Sequence, residues 1–423
     1  VYEQEVEIDT SELPMVFEEE EETVDLDDKE WSLQWQHSLF AGESKTIQFG
    51  AFVQGKERDT AVYQAEGESE QSFTSWDQFN KTPLSLAGFN NEFEAAAGGV
   101  NKLEEDRLDV FALVKHEDQD FSWELGVRYE TTDSTITDKA EGVSAKNDYD
   151  FFLPSAHLRY NVSENGRVSA SVARSLRRPD FDYITPALLE KELGDNDFLG
   201  NPDLQPESSW GMDLGYEYRL GKSGVVGINV FYRDVTDLIE IANTGQQGSE
   251  GDGTYILQPR NTGDGNVKGI ELDLSTPLSA ISMPNTGVFF NYSWLDSEVD
   301  DTFGSRKFND QSDYVFNVGF IQDLPDLGAS FGATYRKQGD AYGRIVGEEV
   351  TTHYGADLEL FVEKRWQDVT LRLVGSNLLD ASKDETFNKF DTVDDQINRD
   401  FDEYELESEE AGPVIQLMLR YAF

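Results

Sequence analysis

FSWELGVRYE, residues 121–130, places Phe121, Trp123, Leu125, Val127 and Tyr129 on one parity and Ser122, Glu124, Gly126, Arg128 and Glu130 on the other. A strand sends successive side chains to opposite faces, so this stretch reads as a β-strand with one apolar and one polar side. The fold turns on what the apolar side touches.

The same alternation recurs along the chain. Trp31, Leu33, Trp35, His37 and Leu39 form one such face; Trp210, Met212, Leu214, Tyr216 and Tyr218 form another. Val288, Phe290, Tyr292 and Trp294 repeat it, as do Tyr354, Ala356, Leu358, Leu360 and Val362. Sixteen strands are expected: 1–10, 30–39, 44–56, 104–116, 119–132, 149–161, 166–178, 208–220, 224–238, 266–276, 286–298, 312–323, 328–338, 353–365, 369–378 and 413–423.

The connections decide between environments. FAGES, HEDQD, SENG, GKS, LPDL, WQD and the somewhat longer PLSAISMPNT are short turns. Between them lie long segments, expected as loops, at 11–29, 57–103, 133–148, 179–207, 239–265, 299–311, 339–351 and 379–412. Short and long connections alternate throughout. The loops of a soluble sandwich meet the same water at both ends, whereas a bilayer-crossing up-and-down barrel has short periplasmic turns and long outer loops. A closed barrel is also the one sheet without an unpaired edge in lipid. The expected fold is therefore all-β, a transmembrane antiparallel barrel over 1–423, with its apolar faces on lipid. The inner wall is wet enough to hold Asp213, Glu271, Asp273, Asp357 and Glu359, and Trp and Tyr near strand ends form interfacial girdles.

Composition agrees. The 423 residues include 84 Asp plus Glu against 34 Lys plus Arg, a formal net charge of −50. Such a charge repels nucleic-acid phosphates, and an aromatic content of 12% argues against disorder. The chain has no Cys, which removes thiolate chemistry and disulfides. No apolar run reaches the roughly 18 residues of a membrane helix, a test to which β-barrels are invisible. VYEQEVEID at the start already reads as a strand, so a processed or truncated product is expected.

Several motifs then arrive in order: KTIQFGAFVQGKERD (45–59), DFFLPSAHLRYNVSENGRVSASVARS (150–175), SLRRPDFDYITP (175–186), GNPDLQPESS (200–209), PRNTGDGNVKGIELDL (259–274), VGSNLLD (374–380) and a terminal RYAF. Together they resemble the barrel of a TonB-dependent outer-membrane receptor, over most of the chain from residue 30 onward. The terminal strand, ending on Phe423, is similar to those presented to the barrel-assembly machinery. The resemblance implies about 22 strands, a plug domain and a TonB-engaging box. Sixteen strands are visible, and the plug, the box and the first strands are missing, so TonB is a partner only through a missing N-terminal region. Asn201, Pro202, Leu204, Pro206, Glu207, Gly269, Glu271, Asn377, Leu378, Asp380 and Phe423 are the family-motif residues, read as shaping the barrel. Pro202 and Pro206 bias the backbone to extended form and end the loop before the next strand.

No enzyme is expected. His37, His116, His157 and His353 are scattered without ligand spacing, and GDGNVKG (263–269) precedes a strand rather than a phosphate-binding helix. EEEEE (18–22) and DFDEYELESEE (400–410) are expected as solvated loop faces; no metal or other cofactor is expected, with Ca²⁺ on these acidic loops as a weak alternative. The expected function is TonB-energised uptake of a small nutrient ligand across a Gram-negative outer membrane, in contact with lipid and lipopolysaccharide. Candidate ligand contacts are Trp76, Phe79, Arg174, Arg177, Arg178, Phe181, Tyr183, Phe198 and Tyr255, aromatic and basic residues on or next to the long loops. The acidic exterior favours an uncharged ligand such as an oligosaccharide over an anionic ferric siderophore, unless Arg174, Arg177 and Arg178 make a local basic site. A passive sixteen-stranded, porin-like channel and a surface-binding role for the loops are the competing readings.

Overall fold

The computed structural model describes residues 2–9, 14–82, 93–193, 196–249, 251–301, 303–390 and 392–422. Phe423 lies outside these residues. Sixteen long strands follow one another: β1 (Tyr2–Asp9), β2 (Met15–Phe40), β3 (Lys45–Phe73), β4 (Asn101–Glu117), β5 (Phe121–Asp138), β6 (Val143–Asn161), β7 (Gly166–Arg177), β8 (Glu207–Leu220), β9 (Gly224–Gly248), β10 (Gly251–Leu278), β11 (Met283–Asp301), β12 (Tyr314–Leu324), β13 (Ala329–Gln338), β14 (Asp357–Trp366), β15 (Val369–Ser376) and β16 (Val414–Tyr421). Each pairs antiparallel with the next, the up-and-down order expected from the sequence. With four short additions they make a 20-stranded sheet.

Register confirms the two faces. Gly126 of β5 sits between Leu113 and Ser155, and Arg128 between Phe111 and Leu153, on the polar side. On the other side Leu125, Phe152, Met212, Leu214, Val362 and Leu373 are all exposed. In water an apolar surface this continuous would aggregate; facing lipid it is the favourable arrangement. The buried clusters are correspondingly small and lie beyond the lipid-facing band: Leu103, Ile136, Ile184, Leu204 and Ile239 in one, Met15, Phe17 and Phe73 in a second, Val235, Leu238 and Val299 in a third.

The long connections differ from the expected loops. Most are prolonged hairpins: β2 and β3 stay paired from Phe40↔Thr46 out to Met15↔Phe73, and β9 and β10 from Val225↔Ser275 to Gly248↔Gly251. The expected 11–29 loop is thus largely β2, and EEEEE lies in strand, in register between β1 and β3. DFDEYELESEE likewise supplies a strand, Glu403–Glu410, paired with Ser382–Lys389. Polarity alternation stops where lipid stops, because neither face then needs to be apolar, but the backbone ladder gains as much from continuing in water. Above β12–β16 the hairpins break and resume as a separate five-stranded sheet that includes Ala341–Ile345, Glu348–Tyr354 and these two strands.

Family-motif residues sit at the joints. A Cβ on Gly269 would lie 2.5 Å from Phe231 Cζ and 2.6 Å from the Trp294 carbonyl oxygen, so the absence of a side chain lets the Phe231 ring lie across β10. Glu271 accepts a hydrogen bond from Asn229 on the same face (3.1 Å). Asn377 and Asp380 take left-handed φ of 50° and 54°. There the Asn377 side chain donates to the Gly412 carbonyl (3.2 Å) and accepts from the Ala381 amide (2.7 Å), while the Leu378 amide donates to Leu358 (3.0 Å). The NLLD turn therefore ties the top of β15 to β14 and to the entry of β16.

The two sheets are clamped outside the membrane by a buried charge network. Arg306 donates to both carboxylate oxygens of Glu240 (2.7 and 3.1 Å) and to Asp301 (2.7 Å), and Arg344 makes a two-point contact with Asp301 (2.9 and 3.1 Å). The Arg306 and Glu240 side chains are only 7% and 8% exposed. Burial pushes the Asp301 carboxyl up, but hydrogen bonds from Arg306, the Phe303 amide and Arg344 outweigh it and hold its pKa below the usual value.

Among the described residues, β1 pairs only with β2, along Val16–Thr23, and β16 only with β15. One backbone side of β2 from Asp25 to Phe40, and one side of β16 from Val414 to Arg420, therefore have no strand paired to them among those residues.

Gly269→Val is expected to destabilise the barrel by about 1–3 kcal/mol through forced backbone and ring movement, lowering the midpoint of its heat-modified gel shift in detergent. Gly287→Ala, with nothing within 4 Å of its Cβ, should leave that midpoint unchanged. Arg306→Ala strands a buried carboxylate and is expected to cost about 3–5 kcal/mol locally, read as faster amide exchange across 239–265 and 299–311. Because the Asp301 pKa is depressed, its contribution is complete above the unfolded value of about 3.9 and is lost as pH falls through the lower folded value. Exchange in 299–311 should therefore rise below about pH 4.

Candidate ligand-binding vestibule

The connection from β7 to β8, residues 178–206, folds inward over the polar face of the wall. Its inner position follows from what holds it. Arg178 forms an ion pair with Glu130 on the inner face of β5. Arg58, inward-facing on β3, pairs with Asp182 (2.7 Å) and with Asp28 across the hairpin (2.7 and 2.8 Å). The short helix Phe181–Ile184 then presents Phe181 to Lys56 and Arg58, both within 5.5 Å of its ring centroid. Ile184 enters the buried cluster with Leu103, Ile136, Leu204 and Ile239, and Phe181 and Tyr183 pack against it.

The return leg carries the GNPDLQPE motif. Asp197 and Phe198 pair in parallel with Ile256 and Leu257 of β10. The Asn201 side chain donates to the Pro259 carbonyl (3.0 Å). Asn147 of β6 donates to the carbonyls of Pro202 (3.1 Å) and Leu204 (2.7 Å) and accepts from the Gln205 side-chain amide (2.9 Å). Leu204 and Pro206 are fully buried. Glu207 opens β8, where its carboxylate accepts from the Ile239 amide (3.2 Å). The segment thus spans the inner face from β3 to β10 and lines a vestibule above the lumen.

The candidate contacts divide into separate groups. Phe181, Tyr183 and Phe198 meet in the vestibule segment, with Tyr183 and Phe198 centroids 6.0 Å apart. Phe198 is nearly covered, so this group is largely packing. The Tyr255 amide donates to Asn196 (2.8 Å) and its ring abuts Gly347 of a neighbouring hairpin. Trp76 and Phe79 belong to a different cluster, at the outer end of the β2–β3 pair, just beyond Phe73. Their helix is capped by Ser75, and Phe79 packs on Phe73 (5.2 Å) and Phe17 (6.2 Å). Trp76 remains 53% exposed.

The arginines also part company. Arg177 faces Glu207 at 3.8 Å, away from the Arg178–Glu130 pair. The Arg174 guanidinium lies 5.3 Å over the Phe151 ring and donates to Ser208 (3.3 Å). The inner wall adds charged residues beyond the candidate contacts, Asp213 and Asp357 among them as expected from their parity. Arg107 makes a two-point contact with fully buried Asp109 (2.6 and 2.8 Å) and reaches Glu130 (2.7 Å), and Arg128 donates to Asp109 (2.7 Å). Further round, Arg167 pairs with Glu217 (2.9 Å), Arg233 with Asp213 (2.8 Å) and Arg336 with Asp357 (3.2 Å). Their signal in the sequence is charge on the parity opposite the lipid-facing residues. Such a wall presents a polar surface to the lumen. Among the described residues, no His, Asp or Glu group is arranged to hold a metal.

Comparison with known proteins places this architecture. A family model described as TonB dependent receptor-like, beta-barrel matches residues 14–387. The iron-regulated outer membrane virulence protein of Vibrio cholerae serotype O1 is 25% identical over 186 residues, which cover 43% of this chain and 28% of that protein. The crystal structure of the ferric citrate transporter FecA in its unliganded form is similar, with a TM-score of 0.60 and 11% identity, over 99% of this chain and 57% of that one. The siderophore receptor PiuA from Acinetobacter baumannii gives a TM-score of 0.61 at 13% identity, over 99% and 64%, and the copper transporter OprC 0.62 at 12%, over 97% and 62%. The chain therefore spans under a third of that curated relative and about three-fifths of these solved structures. With the family model running through fourteen consecutive strands and the vestibule motif between them, this chain belongs to the TonB-dependent receptor family, as an outer-membrane β-barrel of the Gram-negative cell.

Proposed function

We propose that this chain supplies barrel wall to a receptor that imports a chelated metal nutrient, a ferric chelate first, with energy delivered through TonB. The observation that carries this is the family match over residues 14–387, on a wall whose inner face is polar and whose vestibule is lined by a built inward segment. The V. cholerae relative is named for iron regulation, and two of the similar structures for ferric citrate and siderophore. These names favour an iron chelate over the uncharged oligosaccharide that net charge alone suggested. Net charge is the weaker guide, because several inner acids, among them Asp109, Glu130, Asp213 and Glu217, are paired with arginines.

A passive sixteen-stranded pore is disfavoured on a specific ground. Such a pore requires its first and last strands to pair, and among the described residues β16 pairs only with β15. In lipid those backbone groups need partners, so the uptake reading applies to a larger receptor in which further strands complete the wall.

The test is uptake in the native Gram-negative host with the receptor gene deleted and restored. Radioiron supplied as a hydroxamate or carboxylate chelate should enter at less than about a tenth of the restored rate, and inactivating TonB should abolish the difference. Normal iron-chelate uptake with lost maltodextrin uptake would move the ligand to an oligosaccharide. Receptor-dependent entry that persists without TonB would instead establish a passive channel.

A further inference from the structure

The chain carries a net charge of −50, yet one cavity in its inner wall runs against that sign. The cavity is about 410 Å³ and is lined by Arg107, Arg128, Arg174 and Arg178, with Phe111 and Leu153 as its apolar part. It lies on the membrane-depth portion of β4–β7, at the root of the vestibule segment. Four carboxylates bear on it, one of them buried Glu105, whose charge acts on Arg178. Asp109 is engaged by Arg107 and Arg128, Glu130 by Arg107 and Arg178, and Glu124 lines the cavity. Four guanidinium groups therefore meet four carboxylates, two of which are each engaged by two arginines, so what the cluster leaves over is hydrogen-bond donors rather than charge.

The spare donors are identifiable. Arg178 Nε is buried and has no hydrogen-bond partner among the described residues. Arg128 makes a single 2.7 Å contact to Asp109, stacks 5.3 Å from the Phe111 ring, and is 41% exposed. Arg174 touches only a hydroxyl and a ring among its described contacts. A guanidinium has five N–H donors in a fixed fork, and a buried donor without an acceptor is costly. An anionic oxygen group answers that shortage, and a carboxylate matches the fork in two-point geometry.

We propose that this cavity is a carboxylate-binding station on the ligand's path, in which Arg128, Arg174 and Arg178 hold a carboxylate of the imported chelate while Phe111 and Leu153 contact its apolar body. Arg107 is a positioning residue here, since its Nε and Nη2 donors are committed to Asp109 and Glu130. The proposal rests on the ferric-chelate reading above and adds the chemistry of the group that is recognised.

Two readouts separate the failure of one from the failure of the other. The first is calorimetric binding of tricarballylate to the full receptor in detergent, with its triamide as the uncharged control. Arg128→Gln and Arg174→Gln should each weaken tricarballylate binding by about tenfold or more. Arg128→Lys should recover part of the loss, and outward-facing Lys146→Gln should have no effect. Arg128→Gln leaves the Arg107–Asp109 pair in place, and the heat-modified gel shift verifies folding of each variant. The second readout is uptake of two ferric chelates, one with free carboxylates and one neutral. The half-saturating concentration should rise in the variants for the carboxylate-bearing chelate alone. Unchanged tricarballylate affinity in both Gln variants would overturn the proposal, as would an equal effect on both chelates, which signals a structural role. Carboxylate binding that behaves as expected in a receptor importing neither chelate would sustain the cavity assignment and sink the ferric-chelate reading.

Discussion

Every backbone N–H and C=O at membrane depth must be bonded within the protein, because lipid offers no partner. The rest of this molecule follows from that requirement. The long strands are laddered to their neighbours in antiparallel register, without a break from Ser208↔Thr236 to Leu220↔Gly224. Turns at one end are cut to a few residues, such as Gly221–Ser223, since a longer turn gains nothing there. Stability resides in hydrogen-bonded ladders and lipid contact, and the buried apolar clusters are confined to the outer extensions, where water returns and a hydrophobic core again becomes worth forming.

The same solvent boundary organises the charge. Aspartate and glutamate outnumber the basic residues 84 to 34, but at membrane depth the acids on the inner wall are matched with arginines across neighbouring strands, as in Arg167–Glu217 and Arg233–Asp213. A carboxylate beside a low-dielectric wall is costly alone and tolerable when paired. The excess acid sits in the outer hairpins. There the Glu240–Arg306–Asp301–Arg344 network binds hairpins that are far apart in sequence, and only the few positions that bury their charge need precise partners.

The strands were legible because lipid imposes a strict period of two. FSWELGVRYE could be assigned from its ten residues, and each of the sixteen expected strands is present in order. Their outer ends were not legible. In β2, Glu18–Glu22 carries no alternation in its sequence although its backbone is paired on both sides. The ligand-site reading was legible in part. Aromatic residues on the long connections were visible, but Phe198 packs into the vestibule segment while Phe79 packs on Phe17 and Phe73. Composition cannot distinguish an aromatic that packs from one that is displayed. Arg107 and Arg128 were not among the candidate contacts, because each reads locally as one polar position in an alternating strand.

Sequence alone determined the barrel architecture, the order of its strands, the lipid-facing parity and the family, because these depend on short-range periodicity and on motifs in linear order. Tertiary structure decided which residues share a site. The in-folding of 178–206 brings Arg178 to Glu130, Asp182 to Arg58 and Leu204 to Leu103 and Ile136. These partners are separated by tens of residues or more, and their meeting depends on strand register and on the path of one connection across the wall. A one-residue slip would turn each of these side chains to the opposite face, so no local pattern specifies the pairing.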